Sequence, residues 1–190
     1  MLKKFIPLAF IGAMFVTTAC AQRNLIGAAE RISGDSFPVS INTPNGAHVY
    51  AVNRPSAAVL AAIDSGLRDL FAVARKNGYS RRLNYGDYTI FIARADRTKD
   101  STGAYSPDVA IGAAQYAGSV YDQGGFIYVA GMVVSNEPCA FLIAEHTRDL
   151  GRITNVVRYE GEHLVLYHND RQRYLATMDH SKGGAHPILQ

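Results

Sequence analysis

Residues Pro55 to Asn77 carry the pattern that most narrows what this chain can fold into. Leu60, Ile63, Leu67, Leu70, Phe71 and Ala74 recur at spacings of three and four, which draws one apolar stripe along a helix. Pro55 suits a first helical turn, Asn53 or Ser56 can cap it, and Asn77-Gly78 stops it. A helix apolar on one side must lay that side on another layer of structure. Tyr88 to Ala93, YTIFIA, is a β-branched and aromatic run and predicts a central strand of a sheet.

The rest of the chain fits around this pair. Phe37 to Ile41 and His48 to Val52 flank Asn42-Thr43-Pro44-Asn45-Gly46, a turn signal that predicts a hairpin. Residues 95–109 are polar and read as a surface loop, and Val109 to Tyr121 has modest β character. Asp122 to Gly125 is a turn, Phe126 to Val134 a strand, Ser135 to Pro138 a second turn, and Ala140 to Ala144 the returning strand of a hairpin. Thr154 can cap a helix from Asn155 to about Asn169, with Val156, Tyr159, His163 and Tyr167 on one stripe and Val157, Leu164 and Leu166 beside it. Arg171 to Met178 extends as another turn or two of helix, and the tail from Ser181 to Leu189 is a loop ending in an apolar anchor. With 190 residues, 48% hydrophobic and 18% charged, the chain has material for one core and is not disordered. The expected fold is α+β, a single domain over residues 37–190 with a mixed or antiparallel sheet and two main helices.

Residues 1–19 read as an export signal. Lys3 and Lys4 form a positive start, and Phe5 to Val16 is an apolar stretch too short for a bilayer span of roughly 20 residues. Val16-Thr17-Thr18-Ala19-Cys20 resembles a bacterial lipobox, with Thr17 where Leu is usual, which implies lipid on the Cys20 thiol and an anchor in the membrane. Ala19-Cys20-Ala21 also fits ordinary signal cleavage, which would leave a periplasmic or secreted protein. Residues 20–36, with Gly, Ser and Asn and little periodicity, read as a tether or an irregular N-terminal arm. Removing the signal takes two lysines with it, so the net charge of +3 falls to +1. No basic stripe remains, Arg81-Arg82 is an isolated pair, and nucleic acid is not an expected partner. Cys20 and Cys139 are the two cysteines; no Cys-x-x-Cys pair is present, so thiolate zinc and redox motifs are excluded. If Cys20 carries lipid, Cys139 is a lone thiol; if it does not, the two can pair in an oxidising compartment.

Five of the six histidines, His146, His163, His168, His180 and His186, fall in the last quarter of the chain. The segment from Arg158 to Asp170 is the most informative. Tyr159, Glu160 and His163 stand at i, i+1 and i+4 of a helix, where a zinc peptidase carries His, Glu and His: two imidazoles for the metal and a carboxylate to activate water. The segment resembles the active-site helix of the zincin metallopeptidases with its first His replaced by Tyr159. The order of elements over residues 55–190 is similar too. This resemblance implies zinc as cofactor, Glu160 as general base, His163 as a ligand, and His186, with His180 as a rival, as a ligand after the helix. Three arrangements stay open: His163, His180 and His186 hold zinc near Glu160; Glu160 and His163 are both ligands; or no metal binds and the scaffold serves another task.

Plainer roles account for the other polar groups. His168 lies about 140° round the helix from His163 and reads as a helix-end histidine. Glu162 with Arg158 reads as a solvated i, i+4 salt bridge, His146 as structural, and Asp179-His180 as a carboxylate with its ligand or a polar loop. No G-x-S-x-G elbow, P-loop or G-x-G-x-x-G is present. Two functions are therefore expected side by side. One is a cell-envelope metallohydrolase acting on a peptide or protein substrate. The other is a non-catalytic envelope binding or interaction module on the same scaffold.

Overall fold

The computed structural model describes residues 25–31, 33–94, 110–112, 126–128, 132–135, 139–145, 149–178 and 185–189. The expected hairpin forms. Strands β1 (Val39–Asn42) and β2 (His48–Ala51) run antiparallel with Asn42 opposite His48. Gly46 supplies the left-handed conformation the turn needs, at φ +98°. The Ala47 N–H donates to the Thr43 hydroxyl at 2.9 Å.

Helix α2 (Ala57–Lys76) follows, preceded in the chain by a short helix α1 (residues 25–31). The Ser56 hydroxyl caps α2 by accepting from the Val59 N–H, and every residue of the expected stripe is buried. A helical crossover of this length lets β2 pair in parallel with β3 (Tyr88–Ala93). Beyond β3 the described strands are β4 (Ala110–Gly112), β5 (Phe126–Tyr128), β6 (Met132–Ser135) and β7 (Cys139–Ala144). They form a mixed five-stranded sheet in the order β1-β2-β3-β7-β6, with β4 and β5 as a separate antiparallel pair. The run expected as one strand over Phe126 to Val134 is therefore two strands in different sheets. Residues 129–131, between the two, lie outside the described residues. β6 and β7 make the expected hairpin. The loop over residues 95–109 and the turn at Asp122 to Gly125 lie outside the described residues.

All six residues of β3 and all six of β7 are buried, because the sheet is covered on both faces. Ile90, Ile92, Phe141 and Ile143 point toward α2 and helix α3 (Leu150–Asn169). Phe91, Ala93, Ala140 and Leu142 pack with Leu25, Ala29, Phe37 and Tyr50. Phe91 stacks on Tyr50 at 5.3 Å and meets Phe37 edge-on at 5.2 Å. The segment read as a tether thus contains α1, whose Leu25 and Ala29 help close the second face.

α2 and α3 cross closely at two glycines. A Cβ on Gly66 would lie 2.7 Å from the Thr154 carbonyl oxygen, and one on Gly161 would lie 2.5 Å from Leu70 Cδ2. The Thr154 hydroxyl also donates to the Ala62 carbonyl at 3.2 Å. This crossing corrects two expectations for α3. The helix starts at Leu150 rather than Asn155, because Asp149, not Thr154, caps it by accepting from the Arg152 N–H at 2.9 Å. Its buried side runs through Ile153, Val157, Gly161 and Leu164, and Tyr159 is left 42% exposed. Asp170 then caps α4 (Arg171–Thr177), accepting from the Arg173 N–H. Among the described residues no helix is long and apolar enough to cross a membrane.

Candidate functional site

The site is built on the third and fourth turns of α3. Tyr159 and His163 are one turn apart, so their side chains project from the same side of the helix. His186, from the C-terminal segment, lies against both. Its ring centroid is 4.6 Å from that of Tyr159 and 4.8 Å from that of His163. His163 is 6% exposed. Two of the three histidines expected at a metal, His163 and His186, are thus brought together, and His180 lies outside the described residues.

What holds His186 there is Glu162. The Glu162 side chain is fully buried, with Oε2 2.8 Å from His186 Nδ1 and Oε1 accepting the Ile188 N–H at 2.8 Å. This overturns the expectation of a solvated Glu162–Arg158 pair. A buried carboxylate must find donors, and both of its oxygens do so on the tail rather than on α3. Ile188 is itself buried, which makes it the apolar anchor expected at the chain's end. A carboxylate only accepts, so Nδ1 is the nitrogen that carries the proton in this contact. Local sequence carried no signal for this contact: its partners are 24 residues apart and meet only when the tail folds back.

Glu160 is in a different state. It is half-buried, and its carboxyl has no hydrogen-bond partner among the described residues. Burial alone pushes its pKa well above the ordinary carboxylate value. A carboxyl whose neutral form is favoured by burial is a candidate to carry a proton in acid–base chemistry.

The remaining candidates lie elsewhere. His168 sits in the last turn of α3 with its ring 5.0 Å from Tyr167, away from His163 as its spacing requires. His48 meets Asn42 at 3.1 Å, and Glu145 accepts from Asn53 at 3.0 Å. Cys139 is buried beside the Tyr88 hydroxyl, whose pKa burial raises well above its usual value. Cys20, His146 and Asp179 lie outside the described residues. Among the described residues no three His, Cys, Asp or Glu side chains form a group that could hold a metal ion. Comparison with known proteins found no matching family model, no similar curated protein and no similar solved structure.

Proposed function

We propose that the chain is a cell-envelope lipoprotein with a zincin-like fold, a zinc-dependent peptide hydrolase whose site comprises Tyr159, Glu160, His163 and His186. The observation that supports this reading is the Glu162–His186 contact. A metal-binding histidine characteristically gives its second nitrogen to a carboxylate, which fixes the ring and its tautomer. Here Nδ1 is so engaged, and the ring stands beside His163.

His163 and His186 would hold the zinc ion, with the Tyr159 phenol or His180 as the third donor. When bound, zinc supplies Lewis-acid chemistry at the substrate carbonyl. Glu160 takes a proton from water onto its carboxylate and returns it to the leaving amine, a task for which its raised pKa suits it. Glu162 holds His186 in place. Export follows from the signal over residues 1–19, and the membrane is met through lipid on Cys20.

Hydrolysis of a mixed peptide substrate by the zinc-loaded chain tests this reading. Glu160→Gln is expected to lower the rate by about 10²–10⁴-fold with unchanged folding. No hydrolysis by the parent chain, or an equal rate in Glu160→Gln, would refute it. Mass analysis of the mature N-terminus tests the anchor: diacylglyceryl on Cys20 is expected, and an N-terminus at Gln22 contradicts it.

A second reading is favoured by Tyr159. A phenol 42% exposed stands where the first histidine of the motif belongs. On this reading the scaffold is a non-catalytic envelope interaction module. Tyr159→His would then acquire zinc binding that the parent chain lacks.

A further inference from the structure

The Arg81-Arg82 pair, isolated in the sequence, has basic neighbours in the fold. Asn169, the last residue of α3, accepts from the Ser80 and Arg81 N–H groups at 3.1 and 2.8 Å. Its amide donates to the Arg81 carbonyl at 3.0 Å. The Tyr79 hydroxyl donates to Asp170 Oδ2 at 3.1 Å and accepts from Arg173 Nη1 at 3.2 Å. These contacts fasten the loop after α2 to the start of α4. They set Lys76, Arg81, Arg82, Arg171 and Arg173 at one end of the molecule, all five exposed.

Two carboxylates share this end, and both are engaged. Asp87 lies 3.3 Å from Arg82 Nη1, and Asp170 caps α4 and lies 3.8 Å from Arg173 Nε. Lys76, Arg81 and Arg171 have no carboxylate partner among the described residues. The helix dipole accounts for Lys76 in the last turn of α2. Local preference opposes the others. Arg82 holds a left-handed backbone at φ +57°, where a glycine or asparagine would be at ease. Arg171 and Arg173 stand in the first turn of α4, where the dipole disfavours a cation. One turn after Arg171, on the same side of α4, comes Leu175. At 56% it is the most exposed large apolar side chain among the described residues.

We propose that this end of the molecule binds the surface of an anionic phospholipid bilayer. The cations pair with headgroup phosphates, and Leu175 enters the boundary of the acyl chains. Cations spread over the ends of several elements fit a charged plane better than one small anion. A soluble polyanion would meet them and leave Leu175 in water. The sequence also brings the bilayer close. Cys20, the lipid-bearing residue of the reading above, precedes Leu25 of α1 by five residues, a reach of at most roughly 18 Å. So short a leash holds the domain at the membrane, where a weak surface attraction is enough to orient it. That orientation rests on the anchor; the basic, Leu175-bearing surface does not, and it is tested without lipid on Cys20.

The chain freed of residues 1–19 and carrying Cys20→Ser is mixed with vesicles and sedimented. One set is phosphatidylcholine alone, and the other contains about one-third phosphatidylglycerol. Binding to the anionic vesicles is expected to be at least about tenfold tighter and to weaken with added salt. Arg81→Gln combined with Arg171→Gln is expected to weaken it at least about tenfold, with circular dichroism unchanged. Leu175→Ser is expected to weaken it about fivefold while keeping the preference for anionic vesicles. Equal binding to both vesicles, binding to neither, or a double variant that binds like the parent would overturn the proposal. Soluble poly-glutamate binding as tightly as the anionic vesicles would overturn it too, in favour of an acidic protein. Because the tested chain has no lipid, none of these results depends on the state of Cys20.

Discussion

Glu160 and Glu162 stand two residues apart on α3 and meet opposite surroundings. Glu162 is completely buried, yet each of its oxygens has a donor, from His186 and from the Ile188 backbone. Glu160 is only half-buried, lacks such donors among the described residues, and has its carboxyl pushed toward the neutral form. The contrast shows that depth does not decide a carboxylate's role; its donors do. The deeper glutamate is the structural one, a clasp between helix and tail. The shallower one is the carboxyl whose neutral form burial favours.

The largest effect should come from undoing the clasp. Glu162→Ala leaves the Ile188 N–H and His186 without their acceptor in a buried place, and should cost about 3 kcal/mol or more in urea unfolding. An effect no larger than that of an exposed Glu→Ala change would break the contrast. Next, if the clasp presents His186 to zinc, Glu162→Gln should weaken zinc binding by about 10–100-fold, measured by competition with a chelator. The α2–α3 crossing that sets the face of α3 gives a third test. Gly66→Ala drives a Cβ against the Thr154 backbone and should destabilise by about 2 kcal/mol. Gly161→Ala meets only the end of the Leu70 side chain and gains helix propensity, so it should cost less than about 1 kcal/mol.

The smallest effect has the opposite sign. Glu160 binds its proton more tightly folded than unfolded, so its ionisation opposes folding as pH rises past the ordinary carboxylate value. Glu160→Gln should leave stability unchanged near pH 4 and raise it at pH 8, seen as a higher melting temperature. A loss of stability at pH 8 would mean that Glu160, too, is held by donors.

α2, β3 and the two hairpins were legible because each is determined by its own residues: a stripe, an apolar run, a turn. α3 was legible as a helix but not in its orientation. Its buried face depends on a glycine crossing with α2 and on a carboxylate whose partners arrive from the tail. The i, i+4 pairing of Tyr159 with His163 could be read, and so could His186 as a companion after the helix. Glu162 was misread because Arg158, one turn away, offered a simpler local partner.

The most direct test of the central reading is the zinc content of the purified chain, beside that of its His186→Ala variant. One zinc per chain, removable by chelation and lost in the variant, is the predicted result. A parent chain without stoichiometric zinc, and unaffected by chelation, would contradict it.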